Sequence, residues 1–279
     1  MNSMAKSESS ARIVTSIVAV ISAAALAVSL IAAGFAACAV PDVSTKALAS
    51  VYSTDDASPF TKDELVAAAV QTKHYTIDDN DKAAVYATIA AINAQEALAG
   101  TAGKGAPKID ATANYAAGEL SGEQVAALET AFDAASERYV LTPDAVSHLD
   151  DVFGVVQAAK WWLLAAVVAA CVGCTATAFR GGKRLLGRVL AGAGVSVLAV
   201  FALFAAWVAI DFDGFFAQFH SLFFAAGTWT FSWDSLLICM YPPEFWVGMG
   251  AIWLVVTVAC CVVCITIGRL LRKGSTQKR

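Results

Sequence analysis

The chain contains three histidines, His74, His148 and His220, and these are its best candidates for acid–base chemistry. An imidazole has an ordinary pKa of about 6.5, so it can accept and release protons at neutral pH. His74 has ordinary polar neighbours and is expected to be a solvated surface residue. His220 is different because it lies among phenylalanines, in the segment FAQFHSLFFAAGTWTF (residues 216–231). Ionisable side chains in such apolar surroundings are costly to bury and often functional.

His148 follows a helix start that the sequence marks clearly. Thr142 is a good N-cap and Pro143 suits the first helical turn. On that helix Asp144, His148 and Asp151 share one face, at positions i, i+4 and i+7. A carboxylate there can accept a hydrogen bond from the imidazole, fix its tautomer and raise its basicity. An exposed pair of helix charges explains the same spacing equally well, and the sequence leaves both interpretations open.

Four long uncharged runs predict an all-α membrane protein, because the chain is 58% hydrophobic and only 15% charged. A helix of about 20 apolar residues crosses a hydrocarbon core about 30 Å thick. The first run is far longer than the core of a signal peptide, about 7–15 residues, and predicts a retained anchor. Lys160 interrupts the second run, so this span begins either near residue 153 or near Trp161. The predicted transmembrane helices are residues 13–40, 153–179, 189–210 and 245–268.

The distribution of charge predicts the orientation of these helices. Basic residues are concentrated in the short segments 1–12, 180–188 and 269–279. By the positive-inside rule these segments are cytoplasmic, so both termini are expected inside. Residues 41–159, by contrast, carry 18 acidic side chains against 7 basic ones. We therefore expect segments 41–152 and 211–244 to be extracytoplasmic, the first as an α-helical domain between transmembrane helices 1 and 2.

The two outer segments differ in pattern. Residues 61–64 (TKDE) and 121–124 (SGEQ) have the spacing of capping boxes, which predicts short helices in segment 41–152. This segment is acidic and has no glycine-rich phosphate loop, so nucleic-acid binding is not expected. In segment 211–244, phenylalanines recur at helical spacing, which predicts a helix lying in the membrane interface or re-entering the outer leaflet.

The seven cysteines include two C-x-x-C pairs, Cys171 with Cys174 and Cys261 with Cys264. Such pairs often bind metal or perform redox chemistry. Here both lie in apolar helices without nearby charges that would stabilise thiolates. We expect these cysteines to pack between membrane helices, as small side chains commonly do.

Several motifs of the chain, taken together, are familiar. SHLDDV (residues 147–152) precedes the second predicted span, and FHSLFF (219–224) follows the third. WTF (229–231), DSLL (234–237) and YPPEFW (241–246) then lead into the fourth. This set resembles the family of bacterial four-helix membrane proteins that includes the lipoprotein intramolecular transacylase, Lit. The family often has a lysine after the D-V pair, where this chain has Phe153, and segment 41–120 is longer than the resemblance leads us to expect.

The resemblance implies an acyltransferase of the bacterial cytoplasmic membrane, with its active site facing outward among membrane lipids. The substrate would be a diacylglyceryl lipoprotein, and one acyl chain would move from the glycerol sn-2 oxygen to the α-amine of the N-terminal cysteine. Exchanging an ester for an amide is downhill, so no cofactor or metal is expected. No G-x-S-x-G motif is present, which argues against an ordinary serine lipase.

Histidine chemistry suits this reaction. His148 is the expected base, oriented by Asp151, and His220 the expected acid or polarising group, although the two histidines could exchange roles. Aromatic residues of segment 211–244 are expected to line the acyl chains. These residues are Phe216, Phe219, Phe223, Phe224 and Trp229.

Three alternatives remain from the residues alone. The chain could be a non-catalytic integral membrane protein whose outer helical domain binds or senses a partner. A metal or haem site could use His148 and His220, but a third clear ligand is missing. Transport is the last alternative. The predicted spans argue against it, because apart from Lys160 they carry almost no charged side chain that could form a transport pathway.

Overall fold

The computed structural model describes residues 2–115 and 120–274, and these ranges are helical without any β-strand. The helices follow one another along the chain without strands between them in the described ranges. They are α1 Asn2–Ala39, α2 Asp42–Tyr52, α3 Lys62–Ile77, α4 Lys82–Ala99, α5 Gly122–Asp133, α6 Pro143–Ile210, α7 Phe212–Ser221, α8 Leu236–Met240 and α9 Pro243–Gly274.

These helices form two compact units. The first, which we call the apolar unit, contains the described residues up to Ala37, then Ala158–Phe215 and the described residues from Ala251 onward. The second, which we call the acidic unit, contains the described residues of 38–157 together with Phe216–Gly250. His74, His148 and His220 all belong to the acidic unit.

Three helices of the described chain are long and apolar enough to cross a membrane: Ser9–Ala39, Pro143–Ile210 and Pro243–Gly274. The second of these has 68 residues and is interrupted at Gly182, whose φ of 68° and ψ of −178° are not helical. A positive φ is readily adopted by glycine alone, so this residue allows the break. The predicted spans 153–179 and 189–210 lie on the two sides of it. The expected loop 180–188 is itself helical except at Gly182.

Small residues bring the helices of the apolar unit into close contact. Gly187 of α6 and Gly268 of α9 each face the other's backbone, and a side chain on Gly268 would approach the carbonyl oxygen of Gly187 to 2.6 Å. Such contacts are typical of helix packing in membranes. Cys261 is fully buried and packs with Leu30 and Val197, in agreement with a packing role for this cysteine.

The acidic unit has a conventional hydrophobic core built from α3, α4, α5, the first turns of α6, and α8. Both predicted capping boxes are present: Thr61 with Glu64 begins α3, and Ser121 with Gln124 begins α5. These caps satisfy backbone N–H groups that have no partner within the helix. The largest fully buried side chains of the core include Tyr75, Phe132, Phe245, Leu65, Ile89, Leu141, Leu236 and Met240.

Backbone hydrogen bonds hold segment 216–250 against the rest of the acidic unit. The amide of Leu236 donates to the carbonyl of Glu137 at 2.8 Å, close to the start of α6. An ion pair between Arg138 and Asp234, 3.4 Å long, reinforces the same junction. The segment that carries His220 is thereby fixed beside the one that carries His148.

Candidate functional site

His148 lies on the buried face of the first turns of α6. The Thr142 hydroxyl accepts a hydrogen bond from the Ala145 amide at 3.3 Å, which confirms the predicted cap. Five residues after Pro143, His148 is only 8% exposed and is flanked by buried Leu149. It is therefore not part of an exposed charge pair, one of the two interpretations that the sequence left open.

His220 lies near the end of α7 and is held by its own helix. Its Nδ1 atom is 2.8 Å from the carbonyl oxygen of Phe216, four residues earlier. A carbonyl can only accept a hydrogen bond, so Nδ1 carries the proton and donates it. The lone pair of the neutral ring is then on Nε2.

The two histidines belong to one group of aromatic rings, which we call the histidine cluster: His148, His220, Phe216, Phe219, Phe224, Trp229 and Phe231. The ring centroids of His148 and His220 are 6.4 Å apart. Phe224 bridges them, at 4.8 Å from His148 and 5.8 Å from His220. On its other sides His220 meets Phe216 at 4.0 Å and Trp229 at 4.8 Å. The cluster thus joins two segments about 70 residues apart in sequence.

Four of the five predicted lining residues contact His220 directly, namely Phe216, Phe219, Phe224 and Trp229. The fifth, Phe223, packs on Phe219 and Phe224. Phe231, 5.7 Å from His148, was not predicted as a site residue. The motif WTF already contains it, but only the spatial return of this segment to α6 reveals the contact.

The orienting role predicted for Asp151 has no direct contact with His148 behind it among the described residues. In the described part of the chain no hydrogen bond joins His148 to Asp151, and the buried Nδ1 of His148 has no hydrogen-bond partner there. Asp144 and Asp151 are both exposed, whereas His148 is buried. His148 lies at the edge of the buried face of α6, beside buried Ala145 and Leu149, whereas Asp144 and Asp151 lie just beyond that edge in solvent.

Burial makes both imidazoles weak bases. His148, which precedes predicted span 153–179, has its pKa lowered to about 4, first by burial and then by the neighbouring His220, against a smaller opposing effect of Asp151. Burial also lowers the pKa of His220, while its hydrogen bond to Phe216 opposes that shift. Both rings are therefore neutral at pH 7. A pair of neutral imidazoles offers one lone pair and one N–H donor each.

A second buried polar atom in the cluster has no partner. Nε1 of Trp229, like Nδ1 of His148, is buried without a hydrogen bond to any described residue. Buried polar groups are nearly always paired in proteins, because an unpaired one loses its bonds to water without replacement. Two such atoms in one cluster distinguish it from the rest of the acidic unit.

His74 has surroundings unlike those expected from the sequence. Its Nε2 is 2.8 Å from the Asp42 carboxylate, and its side chain is only 32% exposed. The adjacent Lys73 is buried and binds Asp42 at 3.2 Å, Asp78 at 3.0 Å and the carbonyl oxygen of Val40 at 2.6 Å. His74 is thus a partly buried residue that is hydrogen-bonded to a carboxylate, rather than a solvated one. We call this group the His74 network.

Metal binding finds no ready site within the described residues. Across these ranges no three His, Cys, Asp or Glu side chains come together in a way that could hold an ion. His148 and His220 alone would provide two ligands, and protein zinc sites commonly use three or more.

Comparison with known proteins links this site to a family. The family model "Lipoprotein intramolecular transacylase Lit" matches residues 110–246, a range that contains His148 and His220. The resemblance to the Lit family is confirmed. The chain is a helical membrane protein with apolar spans, similar to Lit.

Solved structures of Lit share this fold. The chain superposes on membrane-integral Lit from Bacillus cereus with a TM-score of 0.62 at 14% identity, covering 95% of this chain and 98% of that one. A variant of the same protein with a histidine-to-alanine mutation gives a TM-score of 0.64 at 14% identity, with coverage of 99% and 100%. No curated protein sequence matches significantly.

Proposed function

We propose that the chain is a membrane acyltransferase that moves the sn-2 acyl chain of a diacylglyceryl lipoprotein to the α-amine of its N-terminal cysteine. The observation that carries this proposal is the pairing of two neutral, buried histidines in one aromatic cluster, 6.4 Å apart between ring centroids. Both histidines fall in the range that the Lit family model matches. Acyl transfer from ester to amine needs a base and an oxyanion donor, and this cluster contains both types of group.

In this proposal His220 is the base. Its Nδ1–H is occupied by the Phe216 carbonyl, so the Nε2 lone pair is available to the substrate. The α-amine, with an ordinary pKa of about 7.7–8.0, is partly neutral near pH 7. Its nitrogen attacks the ester carbonyl carbon, and the amine proton passes to Nε2 of His220. This is the exchanged assignment that the sequence left open. It rests on the fixed tautomer of His220 and on the lack of a hydrogen-bond partner for Nδ1 of His148 among the described residues.

His148 is then the group that polarises the ester. Attack on the carbonyl carbon places a negative charge on the carbonyl oxygen, and the N–H of neutral His148 can donate a hydrogen bond to it. The tetrahedral intermediate collapses when the bond between the carbonyl carbon and the glycerol oxygen breaks. His220 returns its proton to that oxygen. The products are an amide at the cysteine nitrogen and a free hydroxyl at the sn-2 position.

The phenylalanines of segment 216–231 suit a substrate that is half lipid. Phe219, a member of the histidine cluster, and Phe223, which packs on it, are 43% and 48% exposed. The neighbouring Leu222 is 69% exposed. Exposed apolar side chains beside a polar reaction centre can hold acyl chains and rest in the membrane interface. Membrane lipids are therefore proposed as the immediate surroundings of the site.

The proposed topology has four membrane crossings. The two arms of α6 on either side of Gly182 are each long enough to cross separately, since about 20 residues suffice. The basic residues of 180–188 then lie in the cytoplasm, together with both termini, as the positive-inside rule requires. Segments 41–152 and 211–244, and with them the histidine cluster, face the outside of the cytoplasmic membrane.

The proposed activity can be tested in a bacterial host that makes diacylglyceryl lipoproteins without N-acylation. Tandem mass spectrometry of a lipoprotein N-terminal peptide should show one acyl chain on the cysteine nitrogen at unchanged total mass. The His220→Ala variant should leave the peptide diacylglyceryl, and the His74→Ala variant should behave as wild type. An unmodified peptide with wild-type protein present in the membrane would contradict the proposal.

A further inference from the structure

The indole of Trp229 packs against His220, and a tight turn in the preceding residues places it there. The chain turns between Ala225 and Thr228, where the Thr228 amide bonds back to Ala225 at 3.3 Å and Gly227 has a φ of 86°. Only glycine adopts this backbone conformation readily, so the turn depends on it. The turn brings Trp229 back onto His220, with ring centroids 4.8 Å apart and planes 32° from parallel.

Its N–H group sets Trp229 apart from other tryptophans of the chain. The indole N–H of Trp246 donates to the carbonyl of Tyr241 at 3.1 Å, and that of Trp253 donates to Ile31 at 3.0 Å. The N–H of Trp229 is buried and has no acceptor among the described residues. An indole nitrogen can donate but not accept, and buried indoles usually find an acceptor. A ligand that satisfies Trp229 must therefore bring an acceptor atom.

We infer that the N–H of Trp229 donates a hydrogen bond to the carbonyl oxygen of the ester that is transferred. This inference rests on the proposed acyl transfer and adds a role to Trp229, which was expected only to line an acyl chain. An acyl chain has no acceptor beyond its carbonyl, so lining alone would leave the N–H unsatisfied. The ester oxygen is an acceptor that becomes negatively charged as the amine attacks.

The second donor of the oxyanion site is His148. Its ring and that of Trp229 both neighbour His220, with centroid distances of 6.4 Å and 4.8 Å. Both carry a buried nitrogen without a partner in the described chain. Sites that stabilise a tetrahedral oxyanion commonly use two donors, because the oxygen gains charge and accepts more than one hydrogen bond. The carbonyl oxygen of the ester would supply the acceptor that the indole N–H of Trp229 lacks among the described residues.

Trp229→Phe tests the hydrogen bond separately from aromatic packing. Phenylalanine keeps an apolar ring beside His220 and removes only the donor. The turnover number for the N-acylated product should fall about 10²-fold, while KM for the lipopeptide changes by less than about 3-fold, because the bond strengthens in the transition state. Trp233→Phe is the matched control, since Trp233 is 74% exposed in the same segment and lies outside the histidine cluster. A Trp229→Phe enzyme with at least half of wild-type turnover would overturn the inference.

A binding measurement tests the same bond without turnover. The probes are two lipopeptides with blocked α-amines, one with ester-linked chains and one with ether-linked chains that lack carbonyl oxygens. In ¹⁵N–¹H spectra of the detergent-solubilised protein, the indole signal missing from Trp229→Phe should move downfield and exchange more slowly with the ester probe only. Equal effects of both probes, or no effect at saturation, would overturn the inference. Failure of the acyl transfer itself is recognised separately, by the absence of N-acylated product from the wild type.

Discussion

The acidic unit contains two histidine sites that differ in almost every physical respect. In the His74 network, an imidazole and a buried lysine share the carboxylate of Asp42, and Asp78 and the carbonyl of Val40 complete the coordination of the lysine. In the histidine cluster, two imidazoles lie among aromatic rings, and no carboxylate of the described ranges is hydrogen-bonded to either ring. Both sites lie in the acidic unit, and each contains histidine.

The difference shows how surroundings distinguish an ion-network histidine from the two histidines to which we assign a catalytic role. Hydrogen bonds from His74 and then Lys73 lower the pKa of Asp42, so this network is most stable in its charged form. Aromatic burial instead lowers the pKa of His148 and His220 and keeps both rings neutral. Satisfied charges fix a fold, whereas neutral rings with unpaired atoms can exchange protons and hydrogen bonds with a ligand.

The largest expected contrast is catalytic. Replacing His220 by alanine removes the proposed base and should lower the rate of N-acyl product formation by about 10²–10⁴-fold. His74→Ala removes an equally scarce residue from the other site and should leave the rate within about 3-fold of wild type. The proposed reaction does not use His74, and its partly exposed contact with Asp42 contributes only about 0–1 kcal/mol to stability. The measurement is single-turnover mass spectrometry with purified protein. Equal losses of N-acyl product formation in His220→Ala and His74→Ala would contradict a catalytic role specific to the histidine cluster.

The pH dependence of stability should separate the sites next. The pKa of His148 in the folded chain is about 4, below its ordinary value of 6.5. Between these two pH values the imidazole is protonated in the unfolded chain and neutral in the folded chain. Stability is therefore complete above pH 6.5 and falls as the pH drops toward 4, by up to roughly 3 kcal/mol. His220 adds to this fall in the same direction.

His148→Phe should reduce the loss of stability at low pH. The measurement is the change in thermal unfolding midpoint between pH 7 and pH 4.5. The contribution of Asp42 behaves differently, because its pKa is lowered from 3.8 and its stabilisation is lost only below that value. Asp42→Ala should therefore leave the slope between pH 7 and pH 4.5 intact. If the slope of His148→Phe equals that of wild type, His148 is not the buried neutral ring described here.

A smaller effect is expected from breaking the His74 network. Asp42→Ala leaves the buried Lys73 with one carboxylate instead of two and should lower the free energy of unfolding by about 1–3 kcal/mol. Thermal unfolding should show a decrease of several degrees, while acyl transfer per folded molecule stays close to wild type. A loss of activity without a loss of stability would mean that the two sites are coupled.

The smallest effect concerns Asp151. Because it is exposed and makes no hydrogen bond to His148 within the described residues, Asp151→Asn should change the transfer rate by less than about 3-fold. Only its weak through-space influence on the pKa of His148 would be lost. Kinetics at pH 7 measure this directly, and a loss of 10-fold or more would restore Asp151 as the orienting residue.

Features that depend on nearby residues were predictable from the sequence. The caps at Thr61, Ser121 and Thr142 are set by residues three positions apart, and long apolar runs specify the candidate spans. The apolar runs did not predict the structure between the second and third spans. A loop was expected over 180–188, but the helix continues on both sides of Gly182.

The contacts around the candidate site that the sequence did not reveal have one property in common. The sequence singled out His148 and His220, and their catalytic roles stay predictions. Which side of α6 is buried depends on residues about 70 positions away, so the burial of His148 beside an exposed Asp151 was not readable. The hydrogen bond between His74 and Asp42 likewise joins residues 32 positions apart. Phe231 was overlooked because only the turn at Gly227 returns its segment to His148. Residue types and local spacing cannot encode such contacts.

The most direct test of the account is a crossover experiment on purified protein. Two diacylglyceryl lipopeptides are mixed, one with deuterated acyl chains on a light peptide and one with ordinary chains on a heavy-isotope peptide. Wild type should give N-acylated products only in the two parental combinations, and His148→Phe and His220→Ala should give little of either. Products that combine deuterated chains with the heavy peptide, or undiminished product from both variants, would contradict intramolecular transfer by the histidine cluster.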